Sequence, residues 1–268
     1  MTFESFAQEH GLVINHLVRD RWTRVPTVDK PHSRNGAYIW DGKGGAVQNW
    51  ALHEKPIPFL SDGTRVSDPE WRIKKEKSDK ERTARQHKAV GKAAYIMRGA
   101  KKGSHPYMDK KGFSDQKHWI FEDLLIVPMR IDQRLVGCQT ISADGTKKFL
   151  YGQITKGAEA VIDNKGTHIL CEGYATGLSV RRALKAVYHR YTIHICFSAA
   201  NILQMAEKYP DSVIIADNDT MGIRTAKKTK LPYWVSPVEG EDANDFELRA
   251  GSLALGISII EAVQVEGQ

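Results

Sequence analysis

Val213-Ile214-Ile215-Ala216-Asp217-Asn218-Asp219 is a short apolar run closed by two acids. A brief, unbroken apolar run bounded by turn formers reads as a strand buried on both faces. The same layout occurs upstream, where Thr167-His168-Ile169-Leu170-Cys171 leads into Glu172-Gly173-Tyr174. In both places a carboxylate falls at the C-terminal tip of a buried strand, the edge where open α/β sheets place their ligands. A third acidic cluster follows at Glu241-Asp242-Ala243-Asn244-Asp245. Carboxylates gathered on one edge repel each other unless a cation holds them, and hard oxygen donors in this small number suit Mg²⁺.

Around these runs the rhythm is strand, helix, strand, helix, strand. Strands are expected at 168–172, 192–197 and 212–217, with helices at 175–188, 199–208 and 221–229. A short strand follows near 233–236, and a further helix opens at Asn244. Such alternation predicts a parallel sheet with crossover helices. Gly173 and Gly177 are expected to admit close backbone approach near the acids.

The preceding half reads differently. Phe3, Phe6 and Ala7 mark one side of a short helix stopped by Gly11. A β-rich stretch from Arg21 to Trp50 is punctuated by turn signals at Asn35-Gly36, Asp41-Gly42 and Gly44-Gly45. Tyr38, Ile39, Trp40, Val47 and Trp50 are its expected core, and Asp62-Gly63 belongs to an irregular exit. A helix is expected over 69–99, with a break at Gly91, then a turn-rich connector at 105–112. Strands follow at 124–131, 135–142 and 147–151, the last two turned by Asp144-Gly145. The expected organisation is therefore an N-terminal module at 1–60, a basic helical segment at 61–118, a β-rich part at 119–160 and the α/β domain at 161–262.

The 268 residues carry a formal charge of +7, which makes nucleic acid or nucleotide phosphate a natural partner. Between Glu70 and His118, fifteen Lys and Arg face only six Asp and Glu, so the excess is concentrated there. No window approaches the ~18 apolar residues of a membrane span. The N-terminus lacks a signal-peptide layout, so cytoplasmic residence without membrane contact is expected. Cys138, Cys171 and Cys196 lie in apolar stretches without a CxxC pair, which predicts buried thiols and no zinc.

Residues 168–245 resemble the Toprim domain of bacterial-type primases, topoisomerases and some nucleases. The resemblance rests on Glu172-Gly173-Tyr174 after the first strand, Asp217-Asn218-Asp219 with Gly222 after the third, and Asp242 or Asp245 beyond. Upstream, His105-Pro106-Tyr107-Met108-Asp109-Lys110-Lys111-Gly112, the run Leu125–Arg130 and the stretch Asp144–Gly152 are similar to motifs of phage and plasmid primases. The resemblance implies a Toprim-type parallel sheet flanked by helices, preceded by a mixed α+β subdomain and a small β-rich module. It also implies Mg²⁺- or Mn²⁺-dependent synthesis of short RNA primers from NTPs on single-stranded DNA.

By that resemblance Asp217 and Asp219 are metal ligands and Glu172 is a ligand or a general base. Asp242 and Asp245 are further metal contacts or simply helix caps. Lys147 and Lys148 are expected to contact nucleotide or template phosphate, as are Arg130, Arg134, Lys110 and Lys111. Tyr107, Trp119 and Phe121 are candidates for base stacking, against the commoner role of buried packing. Such primases usually carry a zinc ribbon, whereas no cysteine precedes Cys138, so the module at 21–50 reads as a metal-free relative. No Walker A motif is present, so unwinding is expected from a separate replicative helicase. Two other readings use the same residues: a Toprim nuclease, and a non-catalytic replication accessory or inhibitor.

Overall fold

The structure, a computed structural model, describes residues 1–53, 55–60 and 69–265, with backbone alone for 69–75, 264 and 265. The expected turn at Asp62-Gly63 and the side chains of Trp71, Arg72, Lys74 and Lys75 lie outside the described residues. The chain falls into two units, Met1–Glu76 and Lys77–Gln268.

In the first unit, Thr2 caps α1 (Phe3–Glu9), its Oγ1 accepting from the Ser5 N–H at 3.2 Å. The strands β1 (Thr23–Val25), β2 (Gly36–Trp40), β3 (Gly44–Asn49) and β4 (Ile57–Leu60) form one antiparallel sheet in that order. Phe3, Leu12, Val25, Tyr38, Val47 and Phe59 make its core. Of the expected turns, Asp41-Gly42 joins β2 to β3, with Gly42 at φ +103°. Gly36, Gly44 and Gly45 are strand residues instead. A Cβ on Gly45 would lie 2.7 Å from the Phe3 ring, so close packing rather than turning requires glycine there. Trp50, expected in the core, is 44% exposed with the Arg24 guanidinium 3.9 Å over its ring. The helix and β4 supply Phe3 and Phe59 in its place.

The helix α2 (Pro69–Gly99) leads into the second unit and is unbroken at Gly91. That glycine is exposed, and its cost of about 1 kcal/mol in a helix is offset by neighbouring turns that bury Ala89, Ala93 and Ile96. The connector at 105–112 holds a helix of its own, α3 (Pro106–Lys110), capped by His105. Five antiparallel strands follow the order β5 (Lys101–Gly103), β6 (His118–Phe121), β7 (Leu124–Ile131), β8 (Arg134–Ile141) and β9 (Lys147–Phe149). Alternation along β7 sends Ile126 toward Ala93 and Ile96 of α2, and Leu125, Val127 and Met129 into the larger core. Trp119 and Phe121, both partly buried, pack on the α2 side.

The remaining elements are β10 (Ala160–Asp163), β11 (Thr167–Cys171), α4 (Tyr174–Ala186), β12 (Tyr191–Ile195), α5 (Ala199–Lys208), β13 (Val213–Ala216), α6 (Thr220–Thr229), β14 (Tyr233–Val235), α7 (Ala243–Ala250) and α8 (Ser252–Val265). Their sheet has the order β10-β12-β11-β13-β14. The pairs β12–β11, β11–β13 and β13–β14 are parallel, and only the edge strand β10 runs antiparallel. The fold is thus mixed α/β, with an antiparallel sheet beside a mainly parallel one. A shared core joins them, from Leu125 and Met129 through Ile169 and Ile193 to Leu255 and Ile259 of α8. Among the described residues, no helix is long and apolar enough to cross a membrane.

Candidate active site

Cys171 and Ile215 face each other across the parallel pair β11–β13. Glu172 and Asp217 therefore leave neighbouring strands at the same edge of the sheet. Asp217 Oδ1 is buried and has no hydrogen-bond partner. Burial, reinforced by the Asp242, Glu172 and Asp219 carboxylates, pushes the Asp217 carboxyl up to about 7, while Lys147 pulls the other way. Burial also raises Glu172, with Asp219 adding to it; Lys147 and the Ala199 N–H at the start of α5 oppose the rise. A cavity of about 190 Å³ opens beside them, lined by Glu172, Asp217, Asp219, Ala199, Met221 and Gly222.

Asp219 is the exposed N-cap of α6, accepting from the Gly222 N–H at 2.6 Å. Asn218 fixes the turn from the other side: its Nδ2 donates to the Ser236 carbonyl at 2.8 Å, and its N–H to the Glu241 carbonyl at 3.0 Å. Glu241 in turn accepts from Ser236 Oγ at 2.6 Å and Arg249 Nε at 2.7 Å. The first turn of α6 is so tight that a Cβ on Gly222 would stand 2.3 Å from the Asp217 carbonyl oxygen. Gly222→Ala is therefore expected to cost about 1–3 kcal/mol in urea unfolding, as overpacking does, while displacing Asp219. An unfolding midpoint equal to the parent's would remove this constraint.

Asp242 and Asp245 form a capping box on α7, with the Asp245 N–H to Asp242 Oδ1 at 2.8 Å and the Asp242 N–H to Asp245 Oδ2 at 3.4 Å. Asp242 still lies close enough to act on Asp217. Lys111 sits between the two acids, 3.3 Å from Asp245 Oδ1 and 3.8 Å from Asp242 Oδ2. Burial disfavours its charge, but the two carboxylates outweigh that and hold Lys111 above the ordinary lysine range. Lys111, expected on phosphate, is thus the internal counter-ion of this acidic pair. Its position is set by Asn244, whose Nδ2 donates to the Lys111 carbonyl at 2.9 Å and to Ser179 Oγ at 3.0 Å.

The other candidates are distributed unevenly. Lys147, Lys148 and Lys110 are all exposed; of the three, Lys147 at the start of β9 is near enough to act electrostatically on Glu172 and Asp217. Arg134 begins β8 and is exposed; Arg130 Nη1 donates to the Gln133 carbonyl at 2.9 Å on the turn before it. Gly173 is the N-cap of α4. At Gly177 the close approach is internal: a Cβ would meet Ile195 Cγ1 at 2.9 Å, where α4 lies on β12. Sequence reasoning also passed over His118, buried behind the first turn of α4 with Nδ1 3.2 Å from the Tyr174 hydroxyl.

A divalent cation fits this chemistry. Asp217 carries an unsatisfied buried oxygen crowded by like charges, which is the electrostatic demand a cation meets. Among the described residues no three Asp, Glu, His or Cys side chains gather into a closed cage. Mg²⁺ held through one or two carboxylates, with waters and substrate phosphates completing its shell, would need no such cage.

A mainly parallel sheet with carboxylates at the C-terminal ends of β11 and β13 defines a mixed α/β protein with an acidic cluster at one sheet edge. The sequence matches no protein-family model, and no curated protein aligns with it. Solved structures do align. One is a chain of the bacteriophage T7 assembly in which lagging-strand DNA polymerase interacts with primase domains bound to an RNA/DNA hybrid and dTTP: 16% identity, TM-score 0.44, covering 62% of this chain and 92% of that one. A DNA primase domain from Pseudomonas aeruginosa aligns at 12% identity and TM-score 0.38, covering 60% of this chain and 56% of that one. The E. coli primase catalytic core aligns at 12% identity and TM-score 0.37, covering 75% of each.

Proposed function

We propose that this chain is a Toprim-type primase, a nucleotidyltransferase that joins NTPs into short RNA primers on single-stranded DNA with Mg²⁺ or Mn²⁺. The observation that carries the reading is Asp217: a carboxyl with a partnerless buried oxygen, raised to about 7 by burial first and then by the acids arriving from β11, α6 and α7. A purely binding protein gains nothing from negative charge facing phosphate. The Glu-Gly-Tyr and Asp-x-Asp motifs favour Toprim, and the motifs upstream favour the phage and plasmid branch.

Asp217 and Asp219 would hold the cation, with Asp242 beside them. Bound there, it would supply positive charge for the phosphates and lower the pKa of the attacking 3′-hydroxyl. Glu172, at the same sheet edge and pushed up by burial, would accept that hydroxyl proton as a general base. Lys147 draws the triphosphate toward the mouth of the cavity. The cap on α6 and the hydrogen bonds of Asn218 keep the Asp217–Asp219 turn rigid during the transfer. Exposed Lys80, Lys88 and Lys92 on α2 offer the template a cationic track. A separate helicase would supply the unwound strand.

The test is to incubate the protein with single-stranded DNA, NTPs and Mg²⁺ or Mn²⁺ and resolve the products on a sequencing gel. Short oligoribonucleotides are expected, falling at least 100-fold in Glu172→Gln, as loss of a general base requires. Shortened template would establish the nuclease reading instead, and binding alone the accessory reading.

A further inference from the structure

The β8–β9 hairpin brings Lys147 within electrostatic reach of the carboxylate edge. Its turn rests on Tyr107, since a Cβ on Gly145 would stand 3.3 Å from that ring. Lys147, at the start of β9, acts electrostatically on both Glu172 and Asp217. Phe149 is two residues further along, on the same face of the strand and about 7 Å away. Its ring meets Phe197 edge to face, with centroids 6.3 Å apart and planes at 80°.

Phe197 belongs to the site by its backbone. It follows β12 directly before the Ser198 cap of α5, and its N–H donates to the Glu172 carbonyl at 3.0 Å. Its φ of +67° is rare for a bulky residue and costs about 1–3 kcal/mol, a strain that persists only where the surroundings enforce it. The Phe197 ring is 7% exposed, whereas Phe149 is 43% exposed. A half-exposed phenylalanine on an edge strand is a liability without a partner, because such edges invite aggregation.

We propose that Phe149, backed by Phe197, is the stacking surface for the base of a nucleoside triphosphate whose phosphates reach Lys147 and the carboxylates. The ring takes the flat apolar face of the base, and the ribose spans the gap to the lysine. Every base has a π-face, so this surface positions nucleotides without choosing among them. The proposal rests on the nucleotidyl-transfer reading of the site.

The test measures equilibrium binding of 2-aminopurine riboside triphosphate to the full chain in Ca²⁺, by base fluorescence, with inorganic tripolyphosphate as competitor. Phe149→Ala is expected to weaken nucleotide binding about tenfold, the scale of one lost stacking contact, and to leave tripolyphosphate affinity unchanged. Phe149→Trp is expected to retain nucleotide binding and quench the base more strongly. Nucleotide binding indifferent to Phe149→Ala, or an equal loss for tripolyphosphate, overturns the stacking surface and leaves the transfer reading standing. A parent protein that binds neither ligand overturns both.

Discussion

Asp217→Asn is expected to give a protein that withstands heat better than the parent at pH 8 and makes no primers. The two effects share one cause. The Asp217 carboxyl has a pKa of about 7 in the folded chain against 3.8 ordinarily. Between those values the folded state keeps a proton that the unfolded state has released, so stability falls as pH rises across that window and then levels off. Below pH 4 the group is protonated in both states and makes no difference. At about 1.4 kcal/mol per pKa unit, the charged carboxylate destabilises the metal-free fold by on the order of 2–4 kcal/mol at pH 8. Asparagine keeps the shape and removes the charge, so melting in EDTA should rise by about 5 °C at pH 8 and hardly at pH 4. Mg²⁺ should recover part of the parent's deficit, as any ligand of the folded state does, and leave the variant unmoved. Identical pH and Mg²⁺ responses in the two proteins would remove Asp217 from the cation site.

The parallel sheet was legible because its signals are local. The run at β13 is apolar from end to end and β11 closes on Ile169-Leu170-Cys171, and the helical stretches around them fall within two or three residues of α4, α5 and α6. Strand ends then delivered Glu172 and Asp217 to one edge without any knowledge of side chains. What stayed hidden depends on partners distant in the chain. Lys111 looks like a phosphate ligand until α7 brings Asp245 to it across 134 residues. The strand β10 is too short for its pattern to stand out, and pairing with β12 is what makes it a strand. Gly91 reads as a helix break because propensity is local, whereas α2 continues by packing on β7 and β8. Phe149 and Phe197 are unremarkable in sequence, and their meeting depends on a left-handed residue that nothing local announces.

The pair Arg182–Glu247 sets the largest stability effect expected from one side chain. Glu247 is buried, its side chain 2% exposed against 32% for Arg182. The guanidinium grips it with two bonds, Nε to Oε1 at 2.5 Å and Nη2 to Oε2 at 2.8 Å, and Ser252 Oγ donates to Oε1 at 2.7 Å. Burial pushes Glu247 up, but the bonds from Arg182, Ser179 and Ser252 outweigh it and hold the carboxyl below its usual range. Arg182 also lies 4.4 Å over the Phe113 ring and donates from Nη1 to the Gly112 carbonyl at 2.9 Å, the residue after Lys111. Arg182→Ala leaves a buried carboxylate without its cation, which costs about 3–5 kcal/mol. Arg182→Lys keeps the charge but loses the planar fork and should fall between. In Arg182→Ala the Glu247 pKa rises above its unfolded value, so the deficit should shrink on acidification, the reverse of the parent. Pairing Arg182→Leu with Glu247→Leu should recover most of the stability, because the burial penalty of both charges disappears together. It should recover primer synthesis only in part, since the Arg182 bond to the Gly112 carbonyl is lost and Asn244 alone then positions Lys111 between Asp242 and Asp245. Urea unfolding at pH 5 and pH 8, run beside the synthesis assay, separates these outcomes. A double variant as unstable as Arg182→Ala would show that the arginine acts through packing on Phe113 rather than through the ion pair.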